Sequence, residues 1–297
     1  MNVLVAIDGS PEATTALETA SRMLTNRDRH LDILCVAPKL RGNNWDRARQ
    51  NAYDRRILRE IAHIMEPKRL SLSRNGGVAE LLTEIGSPPR VIVHKTGDYD
   101  LTVIGPKGRG TIGEVGLGPV ASRVVEHALG PVLVARDLRS DGGLRVLIAV
   151  DGSTASLHAI KTLCEFFDLT SAEICVMHVT ETPWVELGLD EDWVTYSDED
   201  KERSEAGVME AELTREGNVL LDQAREMLLP YAVSVNSRTE EGNPANEILS
   251  EAERGQYDLV VVGATGARDL KHRMLGSVSS KVAWNAPCSV LIVREAE

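Results

Sequence analysis

The sequence predicts an α/β protein made of two repeated, doubly wound domains, each with a five-stranded parallel sheet. Three segments of the 297-residue chain occur twice in the same order. Each copy opens with an uninterrupted apolar run, which is typical of a parallel strand buried on both faces. Strand patterns then alternate with helix patterns, as they do in proteins whose parallel sheet carries helices on both sides.

The repeat indicates where one copy ends and the next begins. The polar segment RSDGG at 139–143 separates the copies and has the composition of a linker. We therefore expect a first domain at 1–139 and a second domain at 140–297. The repeated pairs are VLVAIDGS (3–10) and VLIAVDGS (146–153), YDLTVIGPKGRG (99–110) and YDLVVVGATGAR (257–268), and LGPVASRVVEHALGPVLVARD (117–137) and LGSVSSKVAWNAPCSVLIVRE (275–295).

The elements of the first copy follow in order from local patterns. The run NVLVAI at 2–7 predicts the first strand. Ser10 before Pro11 predicts a helix start, because serine caps helices and proline is favoured at their first position. The run LDILCVAP at 31–38 predicts the second strand, and a helix that ends at Pro67 follows it. The apolar residues at helical spacing that predict this helix are Ile57, Leu58, Ile61, Ile64 and Met65.

The remaining elements of the copy are a third strand, a short helix, the YDL strand, a glycine loop, a last helix and a final strand. The second copy repeats this order and is longer in its middle. The turn Asp-Gly-Ser and the glycine loop both follow strands. We therefore expect both at the carboxyl edge of the sheet, where ligands of doubly wound sheets bind at the point of reversal in strand order.

Composition and charge narrow the classes of function. No apolar run approaches the roughly 20 residues that a membrane-spanning helix needs, and the N-terminus lacks the pattern of a secretion signal. The net charge is −12, and the acidic excess in the second copy argues against nucleic-acid binding because phosphates would be repelled. The cysteines show no C-x-x-C spacing, so we expect buried reduced thiols, no metal site and a cytoplasmic protein.

The strongest functional signal is the pattern Gly-x2-Gly-x9-Gly-Ser in the second copy, filled by Gly263, Gly266, Gly276 and Ser277. Glycine lets backbone N–H groups approach a phosphate without a Cβ between them. Gly276 and Ser277 open the predicted last helix, whose positive end attracts anions. The loop at 267–275 is net basic, which also suits a phosphate. Residue by residue, a tight turn at Gly263 and a helix cap at Ser277 are the simpler alternatives.

Three further segments accompany this glycine pattern: the opening VLIAVDGS, the second strand VMHV (176–179) and the ending APCSVLIVRE. With these features the sequence resembles the universal stress protein family in its tandem two-domain form. The resemblance implies a five-stranded, doubly wound sheet in each domain, of the adenine nucleotide alpha hydrolase-like type. It implies ATP as the bound cofactor, with Mg²⁺ on its phosphates. It also implies that the final strands PVLVARD and SVLIVRE pair with each other in a pseudo-dimer, which could dimerise further.

The resemblance assigns roles to individual residues of the second copy. It implies that Asp151 contacts the adenosine and that Val179 lines the adenine pocket. Val262 and Val278 are implied to flank the ribose and the phosphates. The full set implied to bind the cofactor is Ala149, Val150, Asp151, Val179, Val262, Gly263, Ala264, Gly266, Gly276, Ser277 and Val278.

The first copy departs from the pattern. Gly105, Gly108 and Gly118 keep the spacing, and Asp8 corresponds to Asp151. Pro119, however, stands where the second copy has serine, and proline removes both the hydroxyl and the N–H that would face a phosphate. Nucleotide binding by the first domain is therefore the weaker prediction, and a structural or regulatory copy is its alternative.

Two enzyme-like alternatives compete with a nucleotide-binding regulator. GRGTIG at 108–113 matches a dinucleotide-binding pattern, but Gly116 and Pro119 interrupt the helix that this motif requires. The second alternative is slow ATP hydrolysis or autophosphorylation. The sequence contains neither a P-loop lysine nor a catalytic triad, so this reaction would have to proceed without them. Its candidate acceptors are Ser277, Ser279 and Ser280. His178 at a strand end is expected to bond backbone rather than to act in catalysis.

A third class is an interaction protein that uses no nucleotide. The acidic segment at 181–216 contains Trp184, Trp193 and Tyr196 and could dock a partner. A solvated loop that leads into a helix explains the same charges. The sequence therefore favours an ATP-binding regulatory protein of stress response, with a slow ATPase and a nucleotide-independent interaction protein as alternatives.

Overall fold

The computed structural model describes residues 1–24, 29–39, 47–74, 78–108, 116–139, 142–181, 205–232, 234–266 and 275–294. Over these residues strands and helices alternate in both copies, as the repeat predicts. The first helix begins at Pro11, and the Ser10 hydroxyl accepts a hydrogen bond from the N–H of Ala13 at 3.1 Å. The predicted helix start is confirmed.

The first copy contains five strands and four helices among the described residues. The strands are β1 (Asn2–Ala6), β2 (His30–Pro38), β3 (Val78–Gly86), β4 (Leu101–Ile104) and β5 (Val132–Val134). The helices are α1 (Pro11–Met23), α2 (Arg47–Arg74), α3 (Pro88–Lys95) and α4 (Pro119–His127).

The second copy repeats this series within its described part. The strands are β6 (Arg145–Ala149), β7 (Glu173–Thr180), β8 (Ser234–Glu241), β9 (Leu259–Gly263) and β10 (Ser289–Val293). The helices are α5 (Thr154–Phe166), α6 (Glu205–Leu228), α7 (Pro244–Arg254) and α8 (Ser277–Asn285).

The helix α2 is longer than the sequence predicts. The expected end at Pro67 is wrong, because α2 continues to Arg74 with the proline inside it. A proline removes one helix hydrogen bond and crowds the preceding turn. The helix packs along β3 and buries Met65, so tertiary contacts outweigh this local signal.

The described strands form one ten-stranded sheet in the order β3-β2-β1-β4-β5-β10-β9-β6-β7-β8. Neighbouring strands are parallel except β5 and β10, which run antiparallel with Leu133 opposite Leu291. The predicted pairing of the final strands of the two copies is therefore confirmed within the chain. Strand order reverses between β1 and β4 and between β6 and β9, which makes these two pairs the switch points.

Helices cover the sheet in two apolar clusters. Residues of α1, α2, α5 and α6, such as Leu17 and Ile160, form one cluster with the sheet. Residues of α3, α4, α7 and α8, such as Ile92 and Val282, form the other. Both clusters take residues from both copies, so each apolar cluster continues from one copy into the other.

Arginine side chains also join the copies. Arg136, just after β5, donates a hydrogen bond to the carbonyl of Ala283 in α8 at 3.0 Å. Arg294, just after β10, donates to the carbonyl of Val125 in α4 at 2.7 Å. Each arginine thus reaches from the end of one copy to the last turn of a helix in the other.

The cysteines follow the predicted burial only in part. None of the four forms a disulfide in the described structure; Cys35 and Cys288 are buried, whereas Cys164 and Cys175 are half-buried. Burial raises the pKa of the Cys288 thiol to about 12, which keeps this thiol protonated and unreactive. Among the helices of the described ranges, none is both long and apolar enough to cross a membrane.

Candidate functional site

The candidate site lies at the switch point between β6 and β9. The ladder between these strands ends at the pair Ile148–Val261. In the first copy the corresponding ladder between β1 and β4 continues for one more pair, Ala6–Ile104. The ladder between β6 and β9 is therefore one pair shorter at its carboxyl end. The crevice outside the carboxyl ends of such a pair is where sheets of this class bind ligands.

A tight turn places Asp151 at one side of this crevice. The turn is formed by Gly152, whose φ of 79° lies in the region that glycine adopts most readily. Asp151 Oδ1 accepts hydrogen bonds from the N–H of Ser153 at 3.0 Å and from its hydroxyl at 2.6 Å. The Ser153 hydroxyl in turn caps α5 by accepting the N–H of Ser156 at 3.1 Å. The Asp151 side chain is exposed.

The glycine loop lies against this turn. The N–H of Ala264 donates to the carbonyl of Val293 at 2.7 Å, and the N–H of Gly276 donates to the carbonyl of Ala264 at 2.7 Å. The second bond brings the two ends of the loop together at the end of β9. A Cβ on Gly266 would lie 3.2 Å from Asp151 Oδ2, so the loop and the Asp151 turn are neighbours in space.

Gly263 is required by packing as well. A Cβ at this position would lie 2.9 Å from the backbone carbon of Ala155 and 2.9 Å from the backbone nitrogen of Ser156. The carbonyl of Gly263 accepts a hydrogen bond from the Ser279 hydroxyl at 2.5 Å. The glycine therefore allows α5 to approach β9, a role that differs from the expected access to a phosphate.

The helix α8 begins at the crevice without a side-chain cap. Its N-cap residue is Gly276, which has no side chain that could bond the first turn. The alternative that Ser277 caps the helix is wrong, because Ser277 is the first helical residue and is exposed. The N–H groups of a first turn have no acceptor within the helix, so this helix start can bind an anion.

The three serines of α8 differ in what they could do. Ser277 and Ser280 are exposed, whereas Ser279 is buried and bonded to Gly263. A buried hydroxyl that already donates to a carbonyl is a poor acceptor for a phosphoryl group. Of the three predicted acceptors, Ser279 is therefore better explained by packing.

The apolar members of the predicted set divide into two groups. The side chains of Val150, Val262 and Ala264 are buried in the core, so they can offer a ligand only their backbone. Ala149, Val179 and Val278 are half-buried at the edge of the core. These half-buried side chains are the ones that can form an apolar wall.

One contact near the site was not foreseen from the sequence. The helix α6 lies against the carboxyl end of β7, where a Cβ on Gly217 would be 2.7 Å from His178 Cδ2. Leu220 of the same helix packs 3.2 Å from the position of a Cβ on Gly152. His178 Nδ1 lies 2.9 Å from the carbonyl oxygen of Val150, which confirms the expected backbone partner. The glycine at 217 inside a helical pattern was the available signal for this close approach.

The first copy reproduces much of the geometry. Its Asp8 Oδ1 accepts the N–H of Ser10 at 2.9 Å, and the N–H of Gly118 donates to Pro106 at 2.7 Å. A Cβ on Gly108 would overlap Asp8 Oδ2. The helix α4, however, starts with Pro119 after its N-cap Gly118, so the first N–H of the helix is missing.

Gly105 in the first copy also contacts a helix. A Cβ there would lie 3.2 Å from the carbonyl oxygen of Glu12 in α1. The basic residues Arg268, Lys271 and Arg273, with His272, lie outside the described residues. Most of the acidic segment, including Trp184, Trp193 and Tyr196, also lies outside them.

Comparison with known proteins gives a consistent result. The sequence model described as the Universal stress protein family matches residues 1–136 and again residues 144–294. A universal stress protein of Mycolicibacterium smegmatis is 28% identical over 302 residues, covering 98% of this chain and 96% of that protein. One of Methanocaldococcus jannaschii is 33% identical over 152 residues, which cover 51% of this chain and 82% of that protein.

A solved structure resembles the whole chain. A universal stress protein of Archaeoglobus fulgidus matches with a TM-score of 0.64 at 19% identity, covering 99% of this chain and 98% of that one. At this identity the likeness concerns the fold. Both copies of the chain are thus similar to one family in sequence, and the two together are similar to a solved structure in fold.

Proposed function

Because the chain belongs to the universal stress protein family, we propose that its second half binds ATP and acts as a nucleotide-linked regulatory module. The observation that carries this proposal is the start of α8, which opens without a side-chain cap where the glycine loop meets the Asp151 turn. N–H groups at a helix start hold a phosphate by hydrogen bonds and by the positive end of the helix dipole. The exposed Ser277 hydroxyl adds one further donor.

In this proposal two segments of the chain, 149–151 and 263–278, hold the nucleotide from two sides. The adenosine lies against Asp151 and Val179, and the phosphates lie at the backbone of the glycine loop and the first turn of α8. Mg²⁺ neutralises the phosphate charge and is held by phosphate oxygens and water. The half-buried side chain of Val278 excludes water beside the phosphates.

The proposed regulation follows from this bridging. A ligand that binds only the folded state stabilises it by about 2.7 kcal/mol at a concentration 100 times its Kd. ATP that touches both segments would tie the end of β6 to the start of α8. We propose that this loss of freedom at the crevice changes which partner the protein binds. The proposal requires that ATP binds and does not require that it is hydrolysed.

The sharpest test is Ser277→Pro, which gives α8 the start that α4 already has. Proline is favoured at the first helical position, so the helix should remain, while the N–H and the hydroxyl are both lost. We expect Ser277→Pro to raise the Kd for ATP with Mg²⁺ at least about tenfold, which corresponds to about 1.4 kcal/mol. Ser277→Ala, which keeps the N–H, should raise it less. Isothermal titration calorimetry measures both.

The matched control is the reverse change at the corresponding position, Pro119→Ser, which should leave the affinity of the second half unchanged. Circular dichroism and the Tm without ATP verify that each variant is folded. Wild type that binds no ATP would remove this proposal and favour the nucleotide-independent interaction protein. Wild-type affinity in Ser277→Pro would show that the helix start does not hold the phosphates. Phosphate release above background would favour the slow ATPase.

Three further features belong to the proposal. The domain limits 1–139 and 140–297 stay a prediction, as does dimerisation beyond the pairing of β5 and β10. We propose the cytoplasm as the location, and the cysteine spacing, which matches no disulfide framework, supports it. Limited proteolysis that cuts near 139–143 and leaves two stable fragments would support the limits.

A further inference from the structure

A second group of ligand-type side chains lies at the opposite edge of the sheet, in the first half. His30 and Asp32 are two residues apart on β2, so their side chains leave the same face of the strand. Glu80 on β3 is the register partner of Asp32. Parallel pairing therefore brings an imidazole and two carboxylates together at the amino ends of β2 and β3, whereas the candidate nucleotide site lies at the carboxyl ends of β6 and β9 in the other copy.

The ligand atoms of the three side chains lie close together. One nitrogen of His30 and one carboxylate oxygen each of Asp32 and Glu80 are all within 4.8 Å of one another. His30 Nε2 is 3.1 Å from Asp32 Oδ1. The Tyr99 hydroxyl donates a hydrogen bond to the other oxygen, Asp32 Oδ2, at 2.6 Å. The tyrosine thereby orients the carboxylate so that Oδ1 faces His30 and Glu80.

The buried oxygen Asp32 Oδ1 is poorly satisfied. Asp32 is 7% exposed, and the contact of Oδ1 with His30 Nε2 at 3.1 Å lacks the geometry of a hydrogen bond. A buried carboxylate oxygen without a well-aligned donor or a cation is unfavourable. Asp32 and Glu80 are in addition like charges directly opposite each other on neighbouring strands, which is unfavourable too. A cation between the three side chains removes both penalties.

We propose that His30, Asp32 and Glu80 bind one divalent transition-metal ion, of which Zn²⁺ is the probe of choice. One imidazole nitrogen and two carboxylate oxygens form a donor set that suits Zn²⁺, whereas Mg²⁺ prefers oxygen ligands alone. Ligand atoms on one Zn²⁺ are at most about 4.4 Å apart, since each bond is about 2.0–2.2 Å long. The exposed side chain of Glu80 can close the remaining distance by rotating about its own bonds.

Tyr99 acts as a positioning residue in this site. Its hydrogen bond fixes one carboxylate oxygen and leaves the other for the metal, which is the usual arrangement around metal-binding carboxylates. Burial and the hydrogen bond to Asp32 raise the pKa of Tyr99, so its hydroxyl remains a donor at neutral pH. The metal would bridge β2 to β3, the strand at the outer edge of the described sheet.

The test is calorimetric titration of the full, nucleotide-free chain with Zn²⁺. We expect one Zn²⁺ per chain to bind wild type at this site, and Glu80→Gln and His30→Gln to weaken its binding at least about tenfold. Glu84→Gln is the matched control, because Glu84 lies on the same face of β3 and pairs instead with Lys95 at 3.3 Å. This variant should bind Zn²⁺ as wild type does.

A second measurement separates this site from the nucleotide site. Ser277→Pro should retain Zn²⁺ binding, and Mg²⁺ should not compete for it. Zn²⁺ should also raise the Tm of wild type and of Glu84→Gln but not of Glu80→Gln. If Glu80→Gln and His30→Gln bind Zn²⁺ as tightly as wild type does, or if wild type binds none, the cluster is an ion pair between His30 and Asp32 only, and the proposal is wrong.

Discussion

The residue Asp258 holds the chain together on both sides of the linker. It is fully buried, and each of its carboxylate oxygens accepts one backbone N–H. Oδ1 accepts from Arg139 at 2.8 Å, and Oδ2 accepts from Arg145 at 3.0 Å. The corresponding residue of the first copy, Asp100, is exposed and accepts the N–H of Asn2 at 2.7 Å. One aspartate of the repeated YDL pattern is therefore buried at the junction, and the other lies at the surface.

We predict that Asp258→Asn lowers the free energy of unfolding by about 2–3 kcal/mol, because the amide NH₂ faces a buried N–H that has lost its acceptor. Asp100→Asn is the control and should cost less than about 1 kcal/mol, since water can replace the lost bond. Urea unfolding at neutral pH measures both. Equal losses in the free energy of unfolding would contradict the prediction, because the buried Asp258 would then contribute no more stability than the exposed Asp100.

At the level of elements, local sequence patterns predict most of the strands and helices. The apolar runs of the strands and the helix start at Ser10 and Pro11 depend only on neighbouring residues. The sequence alone therefore indicates β1, α1 and β2. The end of α2 could not be predicted, because packing on β3 outweighs Pro67. The ligand cluster of His30 and Glu80 was likewise invisible, since only the register of β2 and β3 joins residues so far apart in the chain.

The candidate site was predictable to a similar degree. The glycine spacing and the Asp-Gly-Ser turn are local, and both lie at the predicted edge of the sheet. The reason for Gly263 could not be read from the sequence, because its neighbour is the backbone of α5. The approach of α6 to His178 was equally out of reach, since it depends on how the helix after a long insertion returns to the sheet.

We predict that Gly263→Ala is destabilising by about 1–3 kcal/mol. The new Cβ would stand 2.9 Å from the backbone of Ala155 and of Ser156, and α5 would have to move away from β9. Gly105→Ala is the control, because its nearest contact is 3.2 Å, to Glu12. Replacing glycine with alanine also makes the unfolded chain less flexible, which stabilises the folded state of both variants. This effect cancels when the two variants are compared. Thermal unfolding measures the stability of both variants. A smaller loss of stability in Gly263→Ala than in Gly105→Ala would contradict the tight contact between α5 and Gly263.

In the whole molecule the two copies share one sheet and two apolar clusters. The antiparallel pair β5–β10 is short, with three residue pairs, so its backbone bonds alone are a modest link. Arg136 also donates to the carbonyl of Cys288 at 3.0 Å, and Arg294 also donates to that of Glu126 at 2.9 Å. Burial lowers the pKa of Arg136 to about 10, which leaves its guanidinium charged at neutral pH. Each charge lies at the carboxyl end of a helix in the other copy, where a cation is favoured.

We therefore predict that Arg136→Met and Arg294→Met each lower the free energy of unfolding by about 2–4 kcal/mol, because each removes the donor of two carbonyls at or just after the end of a helix in the other copy. Arg123→Met, the same change at an exposed position of α4, should be within about 0.5 kcal/mol of wild type. In the double variant the hydrogen bonds of these two side chains between the copies are lost, while the pairing of β5 with β10 and the shared apolar clusters remain. Urea unfolding should then separate into two transitions, or show a smaller slope with denaturant, where wild type unfolds in one. A double variant that still unfolds in one transition of unchanged slope would show that the strand pair and shared core, and not the two arginines, make the copies a single cooperative unit.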